Sequence, residues 1–136
     1  MTDLLQLARA AQSNAHAPYS GFHVGAAIRL QNGQIFAGCN VENASYGATI
    51  CAERGAIMSA VAALGSVSVV EVVVVSEGNP PWPPCGMCRQ VLSEFCAPDC
   101  RVHAVNAEGV HLSWRFDELL PSGFTPEYLD ESKSGA

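Results

Sequence analysis

The chain has 136 residues, 49% of them hydrophobic and 15% charged, with a net charge of −6. That length suits a single domain, 1–136, able to bury roughly two-thirds of the surface its unfolded chain exposes. The acidic balance, with no block of Lys or Arg, argues against nucleic acid as a partner, and no apolar run approaches the ~18 residues of a membrane span. Six cysteines without an apolar leader predict a reduced, cytoplasmic protein whose paired thiols hold metal rather than a disulfide framework.

Thr2 to Ala15 reads as a helix, with Leu4, Leu5, Leu7, Ala8 and Ala11 as its apolar stripe. Ala17-Pro18-Tyr19-Ser20-Gly21 turns the chain. Phe22 to Leu30 alternates as a strand, Asn32-Gly33 centres a hairpin, and Gln34 to Cys39 returns. Asn40 to Gly47 is a polar loop with two amides, a carboxylate, a hydroxyl and a phenol. It reads either as an Asx-rich turn or as a substrate-contacting loop. Ala52 to Leu64 is a mostly buried helix closed by Gly65. Val67 to Ser76 is nearly continuous valine, which predicts a central strand covered on both faces. Its Glu71 is expected near an edge or a subunit boundary. Glu77 to Pro84 is a rigid loop in which Trp82 reads as packing or as part of the site rim, packing being preferred. Cys85 to Phe95 is a helix, Arg101 to Asn106 a short strand, and Val110 to Trp114 a brief pairing partner. Phe116 to Leu120 is a helical turn, Thr125-Pro126 opens a last short helix, and 131–136 is a polar tail. Cys39, Cys96 and Cys100 read as small buried hydrophobes. His16, His23, His103 and His111 sit apart, without partner spacing. The order predicts an α/β fold with a mixed sheet, an antiparallel first pair, and right-handed crossovers that start helices at strand ends.

The chemistry concentrates in Cys51-Ala52-Glu53-Arg54 and Pro84-Cys85-Gly86-Met87-Cys88-Arg89-Gln90. Cys85 and Cys88, at i and i+3, share a helix face. Cys51 and Glu53, at i and i+2, converge only at a helix start. Both segments are therefore placed at helix N-termini meeting over one ion. There, two helix ends of roughly +0.5 charge each offset thiolate charge. Three thiolates leave the fourth zinc position open, as in a catalytic site. Two other readings stand beside this one. A structural zinc clip would take its fourth ligand from Cys39, Cys96, Cys100 or His103, and a redox C-x-x-C pair would have no use for Glu53.

Beyond the zinc motifs, which match the signature of the zinc deaminases, the resemblance extends over most of the chain. Phe22-His23-Val24-Gly25-Ala26-Ala27, Gly38 to Gly47, the two cysteine segments and Leu119-Leu120-Pro121 together resemble the small homotetrameric cytidine deaminases. Gly55 departs from the family, where threonine is frequent. The resemblance implies a three-layer α/β/α sandwich around a mixed five-stranded sheet. It implies one Zn²⁺ per chain on Cys51, Cys85 and Cys88, with Glu53 moving protons. It also implies Phe22 and Tyr46 lining the pocket, Asn40 and Glu42 on the ribose, Ala44 offering backbone to the base, and Arg54 and Gln90 bonding a cysteine sulfur. Phe124 would cover the base in a neighbouring subunit's site. The implied reaction converts cytidine or 2′-deoxycytidine to the uridine plus ammonia. A blasticidin-S-type deaminase and a non-catalytic structural zinc module are the alternatives.

Overall fold

The computed structural model describes residues 1–129, so the polar tail expected at 131–136 lies outside the described residues. Helix α1 (Thr2–Gln12) precedes the hairpin β1 (Gly25–Leu30) and β2 (Ile35–Cys39). A 3-10 turn at Tyr46–Ala48 leads to α2 (Ala52–Leu64), β3 (Val69–Val75), α3 (Gly86–Ser93), β4 (Cys96–Val105), β5 (His111–Arg115) and α4 (Phe116–Leu119). The sheet order is β2-β1-β3-β4-β5. Only β3 and β4 run parallel, joined through α3; the other pairs are antiparallel.

The period of two sorts the side chains into two cores. Ala26, Ile28, Val72, Val74 and Val102 face α2, α3 and α4, packing on Ala52, Ala56, Leu92 and Phe116. Ala27, Val73, Val75 and Val105 face the other way, onto Leu4 and Ala8 of α1. The valine run of β3 is thus covered on both faces, as a middle strand requires, and the expected three-layer mixed sheet is present.

Several expectations need correction. The first strand begins at Gly25, not Phe22, because the Asn40 side chain takes the backbone of its predicted start. Asn40 Nδ2 donates to Phe22 O at 2.8 Å, and Val24 N donates to Asn40 Oδ1 at 2.9 Å. Helix α1 stops at Gln12, three residues early. β4 begins at Cys96 rather than Arg101, with an irregularity between its pairings to Val69 and Glu71. Glu71 does not sit at a sheet edge; it lies on the middle strand, between Arg29 and His103. Nor do the histidines stand apart. His103 and His111 lie with ring centroids 5.0 Å apart, brought together by the β4–β5 register, and His23 contacts Glu77.

One glycine, Gly38, sets how α2 sits on the hairpin. A Cβ on Gly38 would meet Ala56 N at 2.4 Å and Ala52 O at 2.6 Å, so β2 packs directly on helix backbone. A Cβ on Gly55 would meet only ordinary contacts, the nearest at 3.6 Å, so glycine is not sterically required there. We expect Gly38→Ala to cost at least ~1–3 kcal/mol through overpacking. Gly55→Ala should instead stabilise the protein by up to ~1 kcal/mol through helix propensity. Urea unfolding midpoints of the two variants check both signs.

Candidate active site

The two cysteine segments form the starts of two helices, as their spacing predicts. Cys51 is the extended N-cap of α2 (φ −74°, ψ 157°) and Cys85 that of α3 (φ −67°, ψ 168°). Cys88 follows in the first turn of α3 and is buried. The Sγ atoms of Cys51 and Cys85 are 3.9 Å apart, and all three sulfurs lie within 4.8 Å of one another. Among the described residues no other His, Cys, Asp or Glu joins this cluster. The fourth ligand that a structural clip would need therefore does not come from Cys39, Cys96, Cys100 or His103.

The donor set fits zinc. Sulfurs at about 2.3 Å from a tetrahedral ion lie about 3.8 Å apart, close to the observed Cys51–Cys85 separation. Charge is arranged for it as well. Hydrogen bonding from Cys88, with further bonds from Arg54 and Cys85, brings the Cys51 thiol down to about 5. Sharing that proton, together with burial, pushes Cys88 up. Arg54 Nη2 donates to Cys51 Sγ at 3.5 Å and to Thr49 O at 3.3 Å. The resemblance implies a cysteine sulfur as a partner of Arg54, and Cys51 Sγ is the one in reach.

Glu53 lies one residue into α2 and is 4% exposed. Burial, reinforced by the negative charge of Cys51, lifts its carboxyl to about 7. It lines a cavity of about 270 Å³ together with Cys51, Cys85, Asn40, Val24, Val74 and Trp82. A buried carboxyl that holds and releases a proton near neutrality thus shares one cavity with two of the three sulfurs.

Around this centre the remaining residues take different positions. Asn40 is buried, with its amide spent on the Phe22–Val24 backbone. Glu42 lies farther out. Its Oε1 accepts from Ser20 N and Tyr19 N at 3.0 Å each, and its Oε2 accepts from Ser20 Oγ. Those bonds, Ser20's foremost, hold its carboxyl below the usual value. Tyr46 packs edge-on to Tyr19 at 5.8 Å, and Ala44 is exposed beside it. Phe22 packs edge-on to Trp82 at 5.2 Å. Phe124 is 58% exposed and stacks on Tyr128 of its own tail.

Gln90 is a correction. The resemblance implies a sulfur partner, yet Gln90 Nε2 donates to Phe124 O at 2.7 Å and its Oε1 accepts from Phe124 N at 3.3 Å. Two residues past Cys88, it is turned about 200° around the helix and faces the C-terminal tail. Two positions need a sharper role than the sequence gives them. Trp82, open to packing or to the site rim with packing preferred, is a wall of the cavity. Arg89, beside Cys88 and a candidate with Arg54 for offsetting thiolate charge, ties α3 to its surroundings through Pro84 O at 2.7 Å and Leu119 O at 3.0 Å.

Residues 1–104 match the family described as the cytidine and deoxycytidylate deaminase zinc-binding region. The chain belongs to that family. A cytidine deaminase of Halalkalibacterium halodurans is 43% identical, over 94% of this chain and 96% of its own. The 1.6 Å crystal structure of cytidine deaminase from Burkholderia pseudomallei is 44% identical, with a TM-score of 0.83 over 90% of this chain and 98% of that one. A blasticidin-S deaminase of Bacillus cereus is less similar, 35% identical over 76% of this chain and 77% of its own. The family region binds zinc, and Cys51, Cys85 and Cys88 are the set here that fits it.

X-ray absorption at the zinc edge should find three sulfurs at about 2.3 Å and one lighter donor. Four sulfurs would mean a closed structural site.

Proposed function

We propose that the protein hydrolytically deaminates cytidine and 2′-deoxycytidine, yielding uridine or 2′-deoxyuridine and ammonia. One observation carries the reading: the buried, proton-holding Glu53 carboxyl opens onto the same cavity as the sulfurs of Cys51 and Cys85. Zinc held by Cys51, Cys85 and Cys88 would supply Lewis-acid activation of water at neutral pH. The chain's own groups do the rest. Glu53 accepts the proton of the water that attacks C4 of the pyrimidine and passes it to ring N3. It then takes the remaining proton from the new C4 hydroxyl and delivers it to the exocyclic amine, so the C4 carbonyl forms as the C4–N bond breaks and neutral ammonia leaves. One carboxyl reaching all three centres serves as both base and acid. Arg54 moderates the charge on Cys51.

Asn40 and Glu42 take the sugar, with Glu42 preorganised by the Tyr19–Ser20 backbone. Phe22, Tyr46 and the backbone of Ala44 take the base. The acidic loop disfavours phosphorylated substrates. The polar Asn40–Tyr46 loop also favours a free nucleoside over a blasticidin-type substrate. The protein works in the cytoplasm on this reading; among the described residues no helix is long and apolar enough to cross a membrane.

Ultraviolet assays with cytidine and 2′-deoxycytidine test the activity. Glu53→Gln should retain zinc and fold while turnover falls by at least ~10²–10⁴-fold, the usual worth of a general acid–base group. Turnover above a tenth of wild type in that variant, or a clear preference for blasticidin S, would overturn the assignment.

We further propose a homotetramer in which Phe124 of one chain covers the base in a neighbour's site. Two features support it. Met58, Val61 and Leu64 of α2 leave apolar surface exposed, and the Phe124 ring is exposed against Tyr128 rather than packed into a core, its backbone tied to Gln90. Phe124→Ala tetramers mixed and reassembled with Glu53→Gln tetramers should exceed the average activity of the two parents. Activity that stays at that average, with mixed tetramers verified by native mass spectrometry, would place Phe124 in its own site.

A further inference from the structure

Away from the cysteine cavity, four polar side chains meet on the sheet face where α1 packs. They are Glu71 of β3, His103 of β4, and His111 and Ser113 of β5. The register pairs His103 with Ser113 and Val105 with His111, so the three β4–β5 side chains share that face. Helix α1 packs there on Ala27, Val73, Val75 and Val105, and the outer strand stays open: His111 and Ser113 are exposed.

The hydrogen bonds define a tautomer. His103 Nε2 lies 2.8 Å from Glu71 Oε2, and a carboxylate oxygen accepts, so Nε2 carries the proton. In the neutral imidazole, His103 Nδ1 then presents its lone pair as an acceptor toward the outer strand. Nδ1 lies 2.9 Å from His111 Nε2 and 2.7 Å from Ser113 Oγ, which are themselves 2.9 Å apart. Two imidazole nitrogens and a hydroxyl therefore converge on one solvent-accessible point.

We propose that this cluster is a second metal site, taking a divalent transition metal through His103 Nδ1 and His111 Nε2, with Ser113 Oγ beside them. The carboxylate behind a ligating imidazole is the arrangement that orients metal-binding histidines and raises their basicity. Imidazole donors select nickel, copper and zinc over magnesium or calcium. The two nitrogens are 2.9 Å apart, a hydrogen-bond separation that puts both within reach of one metal ion with only small side-chain adjustment. Their imidazole donors set this site apart from the thiolate set around Cys51. Charges nearby temper the affinity. Arg29 Nε is 3.6 Å from the other Glu71 oxygen, and Arg101 and Arg115 stand on the same face, the latter paired with Asp117.

Nickel is the cleaner probe because it does not oxidise thiols. The zinc-loaded protein is dialysed against Ni²⁺, and both metals are counted. We expect one further nickel per chain with zinc retained. His111→Gln, on the exposed outer strand, should lower nickel affinity at least tenfold, and His103→Gln/His111→Gln further. Glu71→Gln should weaken it by about 10–100-fold while leaving both ligands present, as loss of an outer partner does. Nickel uptake that exchanges one-for-one with zinc overturns the proposal. So does affinity unchanged in the His111→Gln and double variants, or no further nickel at all.

Discussion

Two helices must begin at one point, and the rest of the site depends on that. Cys51 and Cys85 are both N-caps, and their sulfurs are 3.9 Å apart. Two thiolates at that distance repel by ~4 kcal/mol at an effective dielectric of 20. Helix N-termini and the Arg54 guanidinium offset part of this, and the hydrogen bond from Cys88 to Cys51 lets Cys51 ionise first while Cys88, also buried, is held up. Full ionisation of the set requires a dication, and the three sulfurs are spaced to receive one. Electrostatics and backbone geometry therefore specify the same ligand.

Packing holds those helix starts in place. The β1–β2 hairpin lies so close to α2 that Gly38 has no room for a side chain, and the buried Ala52, Ala56 and Ala60 keep the helix low on the sheet. Arg89 fastens the start of α3 by bonding Pro84 O and Leu119 O at once. Asn40 bends the chain out of β1 so that Phe22 reaches the cavity mouth beside Trp82. Glu53 inherits its burial from this packing, and the same burial raises its carboxyl into the range where it both takes and returns a proton.

Each half of the zinc set was legible because its geometry is local, i and i+3 on one helix and i and i+2 at a helix start; that the two halves meet came from their match to the zinc deaminase signature. The strand of Val69–Val75 was legible because a valine run apolar on both faces suits few other positions. Long-range features were not. The start of β4 is Cys-Ala-Pro-Asp-Cys, polar and broken by proline, and it pairs only through an irregular register with β3. His103 and His111 meet because an antiparallel hairpin folds residues eight apart onto one face, and that register is absent from any spacing rule. Gln90 was misassigned because its position around the helix, rather than its distance from Cys88 along the chain, decides what it reaches.

The two halves of the site differ in completeness, and the difference bears on mechanism. The metal half is finished within the chain: sulfurs, Arg54 and Glu53 are in mutual contact or buried. The base half, on the proposed assignment of Phe22, Tyr46 and Phe124, is not. Phe22, Tyr46 and Phe124 are 51%, 76% and 58% exposed, so a pyrimidine set against them would meet water on at least one face. A reaction whose barrier depends on a proton moving between one carboxyl and N3 is sensitive to competing solvent, since bulk water both dilutes the local field and exchanges the proton. In the proposed tetramer a neighbour would close that side by bringing in an aromatic, Phe124, whose ring is exposed on its own chain. Assembly would then be part of the catalytic geometry, and weakening the subunit contacts would impair proton transfer while leaving zinc binding intact.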